Sequence, residues 1–170
     1  MTYIIAVGSI PYHKYPKRTF SDITLETLID LQKDLKDETM ILSRDTEEIF
    51  FGNCAMDRFG QSNIRGQVAL QEAIDQGILP AGLPISNIEA GCATGGVTLL
   101  QAHRSIKSGS CDVALAIGVE KLHFPDDPKM LKSFPIFTAG IDQINTERWK
   151  KYYFEQAQIH QVQFEPHPYR

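Results

Sequence analysis

Apolar and polar positions along this chain fall into blocks whose periods separate strands from helices. Tyr3 to Val7 is a short, partly β-branched apolar run that stops at Gly8 and gives way to a Pro- and basic-rich loop over Pro11 to Arg18, the pattern of a buried first strand. Leu25, Leu28, Leu31 and Leu35 then recur at helical spacing, predicting a helix that Ser21 or Asp22 caps and that runs to about Lys36. Thr46 to Phe51 predicts a second strand closed by Gly52, followed by a loop over Asn53 to Gln61. Ser62 is placed to cap a second helix on which Gly66, Ala69, Leu70, Ala73 and Ile74 share a face, with Gly77 and Pro80 as its stop. Pro84 to Ile88 fits a third strand.

Beyond Gly91 and Cys92, the residues Thr98, Leu99, Ala102 and Ile106 mark an apolar face that Val97 and Leu100 widen, so this helix is expected to be buried on several sides until Gly109 ends it. Asp112 to Val119, DVALAIGV, is apolar without alternation, as in a central strand covered on both faces. The order β-α-β-α-β-α-β predicts an α/β fold, a mainly parallel sheet with helices on both faces, and places function at the carboxyl ends of the strands. From His123 the pattern breaks at Pro125, Pro128 and Pro135; one later helical stretch covers about residues 144–159, and Glu165 to Arg170 reads as a frayed tail. The chain is therefore expected to comprise an α/β domain over residues 1–122 and a partial loop segment with a tail over residues 123–170.

Composition narrows the partners more than the fold. A chain of 170 residues, 42% hydrophobic and 22% charged, is of ordinary globular make-up and can bury roughly 70% of its unfolded surface around one core. Its net charge of -4, with no long basic run, argues against nucleic acid as a partner. No stretch approaches the ~20 apolar residues of a membrane span, and the start lacks a charged n-region, so a place in the cytoplasm or an organelle matrix is expected. Cys54, Cys92 and Cys111 are odd in number and form no Cys-x-x-Cys pair, which speaks against a disulfide framework and a zinc site; no metal is expected. Neither G-x-G-x-x-G nor a P-loop occurs, so nucleotide readings lack their phosphate cradle.

The chemically informative segment is Ile88 to Gly96, IEAGCATGG, where a cysteine stands between a strand and a glycine-flanked helix. At the positive end of a helix dipole a thiolate is stabilised and its pKa falls below the free value near ~8.5. Backbone N–H groups at the helix start can donate to an oxyanion, while Gly91, Gly95 and Gly96 leave room for a substrate's approach. Acyl transfer through Cys92 needs both. Glu89, three residues earlier, is a carboxylate whose proximity would oppose the thiolate.

Four segments resemble the thiolase family, acyltransferases that make or cleave β-ketoacyl thioesters of coenzyme A. They are Gly52-Asn53; GQSNIRGQVAL at Gly60 to Leu70; GCATGG at Gly91 to Gly96; and SGSCDVALAIGVEKL at Ser108 to Leu122, whose ending looks most like the sterol-carrier-protein class. The resemblance covers about residues 1–122 and implies the N-terminal, nucleophile-bearing half of a two-half fold, with Cys92 as acyl acceptor. It implies an acyl-CoA thioester as substrate and no permanently bound cofactor. The family's catalytic histidine, water-holding asparagine and second cysteine belong to the other half, and no segment here matches them. A homo-oligomer, or a hetero-oligomer with a subunit supplying the C-terminal half, is therefore expected. Two further readings stand beside it: a non-catalytic assembly or binding subunit, and a ketoacyl synthase or hydroxymethylglutaryl-CoA synthase relative.

Other candidates weigh less. His123, after GVEKL at a strand end, is a candidate substrate contact. Cys54, which the resemblance places near the substrate side, reads as a structural or incidental thiol, Cys111 as core, and His103 with Arg104 beside it on the helix after Cys92 as a surface pair or a packing histidine. Glu120 and Lys121 read as an exposed ion pair, while the thiolase resemblance implies instead a brace at a subunit contact; His160 and His167 read as solvated. Lys14, Lys17 and Arg18 form a solvated basic loop that could attract a phosphate.

Overall fold

The computed structural model of the chain describes residues 1–36, 39–123 and 144–161. Helix α1 spans Phe20–Asp34, and its cap is Thr19 rather than Ser21 or Asp22. The Thr19 hydroxyl accepts the Asp22 N–H at 3.0 Å and the Asp22 carboxylate accepts the Thr19 N–H at 2.7 Å, a reciprocal box that satisfies two donors at once. These bonds hold the Asp22 carboxyl below its ordinary pKa. A single turn, α2 (Leu42–Asp45), leads to strand β1 (Glu48–Gly52).

Helix α3 (Arg65–Asp75) starts without a side-chain cap of its own: its N-cap is Ile64, at φ +45, and the predicted cap Ser62 lies outside the helix. A neighbouring strand does the work instead, because the Asn87 carboxamide takes the Gly66 N–H at 2.6 Å. Asn87 lies in β2 (Ile85–Ile88), which leads through a short 3-10 turn (Gly91–Ala93) into α4 (Thr94–Ser108). Gly109 closes α4 at φ +76, a left-handed cap that suits glycine. β3 (Ala114–Gly118) follows.

The three strands are parallel in the order β2-β1-β3. Phe51 and Gly52 show how the sheet is covered. A side chain at Gly66 of α3 would strike the Phe51 side chain, whereas a side chain at Gly52 would strike Thr98 of α4. Consecutive strand residues point to opposite faces, so α3 and α4 pack on opposite sides of the sheet, and α1 packs on α3. Phe51, Leu28, Ile49, Met56, Leu70 and Leu79 are fully buried in this core, each stabilising it by about 1.5–3 kcal/mol.

Two expectations change. Tyr3 to Val7 is not a buried strand: no ladder joins it to the sheet, and Tyr3, Ile4, Ile5 and Val7 are 55–71% exposed. Its backbone is committed to α1, since Val7 N–H donates to Asp34 and Ser9 N–H to Asp30, both at 2.9 Å. Gly8 lies so close to α1 that a Cβ would come within 2.5 Å of the Leu31 nitrogen. Among the described residues the sheet therefore has three strands instead of four, with β3, predicted central, at one edge and β1 in the middle. Likewise α4 is buried along one face, through Thr94, Thr98, Ala102 and Ser105, and not on several; Leu99 and Leu100 remain 52% and 42% exposed. Among the described residues no strand lies beyond β3 for these leucines to cover.

The chain forms two units, Met1–His123 and Phe124–Arg170. In the second, helix α5 (Thr146–Ile159) occupies the predicted helical stretch, with Trp149 edge-on to Tyr152 at 5.8 Å. His167 and the tail from Glu165 to Arg170 lie outside the described residues. No described helix is long and apolar enough to cross a membrane.

Candidate active site

The carboxyl ends of the three parallel strands form one rim, and the cysteine segment stands on it. After β2 the backbone passes Glu89 and Ala90 and turns at Gly91, whose φ of +56 would strain a residue with a side chain. Cys92 follows in the 3-10 turn and is exposed. Thr94 fixes this turn: its hydroxyl accepts the Ala90 N–H at 2.9 Å and donates to the Gly91 carbonyl at 2.7 Å. Thr94 is itself buried against Gly52 of β1, so the turn is tied to the sheet.

Cys92 thus precedes the first turn of a 15-residue helix, where the aligned peptide dipoles amount to about half a positive charge. Gly95 and Gly96 lie in that first turn, whose N–H groups lack acceptors within the helix. Both glycines are exposed, with no atom within 4 Å of where a Cβ would stand. The turn thus presents a thiol, the backbone N–H groups of Gly95 and Gly96, and open space together.

A polar network holds the adjacent part of the rim. The Glu120 carboxylate, just past β3, accepts the N–H groups of Cys54 at 2.8 Å and Ala55 at 3.1 Å, and the Asn53 amide at 3.2 Å. Buried Asn53 also donates to the Val119 carbonyl at 2.7 Å and accepts the Met56 N–H at 2.8 Å. Arg65, opening α3, donates to the carbonyls of Asn53 at 3.1 Å and Cys54 at 3.3 Å. The ends of β1 and β3 and the start of α3 are thereby tied into one unit. Glu120 as a residue is exposed, yet its carboxyl end turns onto these donors, and the loss of water there pushes its pKa up against the opposing pull of the hydrogen bonds.

Glu89 links the network to the cysteine turn. One of its oxygens accepts the Gly91 N–H at 2.7 Å and lies 3.7 Å from the Cys54 sulfur. Burial pushes the Cys54 thiol pKa up, and the Glu89 and Glu120 carboxylates add to the rise. A small cleft of about 190 Å³ beside the turn is lined by Asn53, Arg65, Asn87 and Glu89 among others.

The structure thus brings Cys92, Gly91, Gly95 and Gly96 together, with Cys54 and Glu89 on the same rim. His123 is half-buried on the segment that leaves β3 past Glu120. His103 is exposed on α4, two turns and more from Cys92. Cys111 is buried near Ser105 and Glu48 at the other end of the sheet, where burial raises its pKa. Glu120 and Lys121 are not an ion pair. The Lys121 ammonium donates to the Arg18 carbonyl and lies over the rings of Phe20 at 5.6 Å and Phe59 at 5.2 Å, where burial lowers its pKa. In the basic loop Arg18 pairs with Glu26 at 2.5 Å, whereas Lys14 and Lys17 are exposed. Among the described residues no group of three or more His, Cys, Asp or Glu is placed to hold a metal.

Sequence reading missed the roles of Thr94 and Glu120. A Thr two residues after a turn cysteine, three positions past a glycine, is the available signal for the first; nothing local announces the second, whose backbone donors lie 65 and 66 residues away.

A parallel α/β domain that presents a cysteine at a strand-to-helix turn is the class defined by these features. The family follows from the sequence comparison: residues 2–144 match the thiolase N-terminal domain, and the chain belongs to the thiolase family. Among curated proteins it is similar to the acetyl-CoA acetyltransferase of Methanocaldococcus jannaschii, 28% identical over 148 residues. The match takes in 86% of this chain and 33% of that protein, so the chain spans about a third of the curated relative's length.

Proposed function

We propose that the chain contributes the nucleophile of a thiolase-type acyltransferase acting on acyl-CoA or β-ketoacyl-CoA thioesters. The observation that carries this is the exposed Cys92 on the Gly91 turn, directly ahead of α4 and beside open space at Gly95 and Gly96. The Cys92 thiolate attacks the thioester carbonyl, the negative charge on oxygen is met by backbone N–H donors of the first turn, and the carbon–sulfur bond to coenzyme A breaks. Coenzyme A leaves as its thiol once protonated, and the acyl group remains on Cys92 until a second thiol or an acyl-CoA carbanion removes it. Activation of a thiol normally requires a neighbouring base, and the thiolase family places that base in the C-terminal half. In this reading a C-terminal half, in the same assembly, supplies it, and His123 is a substrate contact.

Incubation with acetyl-CoA, with and without a C-terminal thiolase half, followed by peptide mass spectrometry, tests the assignment. The expected result is one acetyl group on the peptide containing Cys92, faster with the second half present and absent from Cys92→Ala. Acetylation that persists in Cys92→Ala, or none under either condition, overturns it.

A further inference from the structure

Three consecutive peptide planes set the direction of the cysteine turn, and Thr94 holds two of them. Its hydroxyl accepts the Ala90 N–H at 2.9 Å, in the plane that follows Glu89, and donates to the Gly91 carbonyl at 2.7 Å, in the plane that precedes Cys92. The plane between them is held differently: its Ala90 carbonyl accepts the Ala93 N–H at 3.1 Å, and its Gly91 N–H donates to the Glu89 carboxylate at 2.7 Å. Gly91 is the pivot between this plane and the next, and with φ at +56 and no Cβ it rotates at little steric cost. The direction in which Cys92 leaves the pivot is therefore defined only while both neighbouring planes are pinned.

The Glu89 carboxylate is held in turn. The oxygen that accepts the Gly91 N–H lies 3.7 Å from the Cys54 sulfur, within reach of the thiol proton. The Cys54 N–H donates to Glu120 at 2.8 Å and Arg65 donates to the Cys54 carbonyl at 3.3 Å, so this thiol stands on the braced part of the rim. Burial, then the Glu89 and Glu120 carboxylates, push the Cys54 thiol pKa up, which keeps it protonated and able to donate. Support thus runs from the end of β3 through Glu120, Cys54 and Glu89 to the peptide that precedes the nucleophile.

We propose that Glu89 is a positioning residue for acyl transfer: its carboxylate, steadied by the Cys54 thiol, pins the Gly91 pivot and so aims the Cys92 sulfur and the backbone N–H groups of the first turn at one carbonyl. The proposal rests on reading Cys92 as the acyl acceptor. Acyl transfer is sensitive to this aim, because a misplacement of about 1 Å costs on the order of 10²-fold and a backbone donor contributes only where the oxyanion forms. Displacement at a saturated carbon by the same thiolate forms no oxyanion and makes no such demand. Two reactions of one sulfur therefore differ in whether they need the grip of Glu89 on the turn. It is the oxygen of Glu89 as an acceptor, and not its charge, that this role requires.

Two uncharged variants separate acceptor from charge: Glu89→Gln keeps an oxygen that can take the Gly91 N–H, and Glu89→Leu, of similar bulk, does not. In each, Cys92 is acetylated with p-nitrophenyl acetate, whose carbonyl it attacks with loss of p-nitrophenolate. In parallel it is alkylated with iodoacetamide, from which it displaces iodide, and both rates are read by mass spectrometry of the peptide containing Cys92. The expected ratio of acetylation to alkylation is about tenfold higher in Glu89→Gln than in Glu89→Leu. Cys54→Ala should lower the ratio of the unaltered chain about threefold, and Cys54→Ser should restore it. Equal ratios in the Gln and Leu variants overturn the proposal, and a Cys54→Ala ratio equal to that of the unaltered chain overturns the part given to the thiol. Whether or not the Leu variant folds, a Gly91 amide that exchanges hydrogen in the unaltered chain as fast as in an unstructured peptide also overturns it. p-Nitrophenyl acetate requires no recognition of coenzyme A. A ratio that depends on Glu89, with Cys92 left unmodified by acetyl-CoA, would therefore sink the functional reading and leave this one standing; acetylation by acetyl-CoA with equal ratios would do the reverse.

Discussion

Two acidic or acidifiable groups on the same rim have opposite surroundings. The Glu120 carboxylate takes donors from Asn53, Cys54 and Ala55 and thereby fastens β3 to β1. The Cys92 thiol, at the end of β2, has no hydrogen-bond partner among the described residues and is exposed. The first arrangement places its interactions inside the fold; the second leaves them for a molecule that is not part of it. Rigidity and availability are thus separated by residue on one rim, and the Thr94 hydroxyl joins them by fixing the backbone of the cysteine turn without touching the thiol's freedom.

The sharpest way to break this contrast is to remove each group in turn. Glu120→Ala strands the N–H groups of Cys54 and Ala55, and should lower unfolding free energy by about 2 kcal/mol, whereas Cys92→Ala should change it by less than about 0.5 kcal/mol. Urea unfolding of the two variants decides; equal losses would erase the distinction. Thr94→Val keeps the shape of the side chain but removes both turn bonds, and should cost about 1–2 kcal/mol by the same measurement.

Thiol reactivity sharpens the comparison from the other side. Iodoacetamide at mildly alkaline pH should modify exposed Cys92 about tenfold faster than Cys54, whose pKa is pushed up by burial and then by Glu89 and Glu120, with buried Cys111 slowest. Rates read by mass spectrometry that place Cys54 first would contradict the site geometry. Glu89→Gln, by removing one of the two carboxylates, should narrow the gap.

The smallest effect concerns pH. The Glu120 carboxyl titrates above its ordinary value of 4.5 in the folded chain, so between that value and its folded pKa the native state holds more protons than the unfolded one. Stability from this group is therefore full below about 4.5 and is lost as pH rises through the folded pKa. Glu120→Gln should flatten that part of the stability profile; an unchanged slope would show that another group produces it.

Much of this was legible in the chain. The helical spacing from Leu25 to Leu35, the glycine stops at Gly77 and Gly109, and the position of Cys92 between strand and helix all follow from local pattern, and the structure places them accordingly. What local pattern missed depends on distant partners. Tyr3 to Val7 has the composition of a strand but finds no ladder, because β3's outer edge is not beside it. Ser62 has the chemistry of a cap, but Asn87 on another strand reaches the helix first. Glu120 reads as a surface charge until β1 is laid beside β3.

The parallel register of β1 has a kinetic side as well. Ile49 pairs with both Ile85 and Leu115, so the middle strand is completed only by segments far along the chain, and neither pairing can form as a hairpin. Loop closure must precede the reward of contact, which places this domain among high-contact-order folders that assemble slowly. A chain emerging from synthesis would expose the Ile49–Phe51 run until DVALAIGV has followed it, an interval in which aggregation competes with folding.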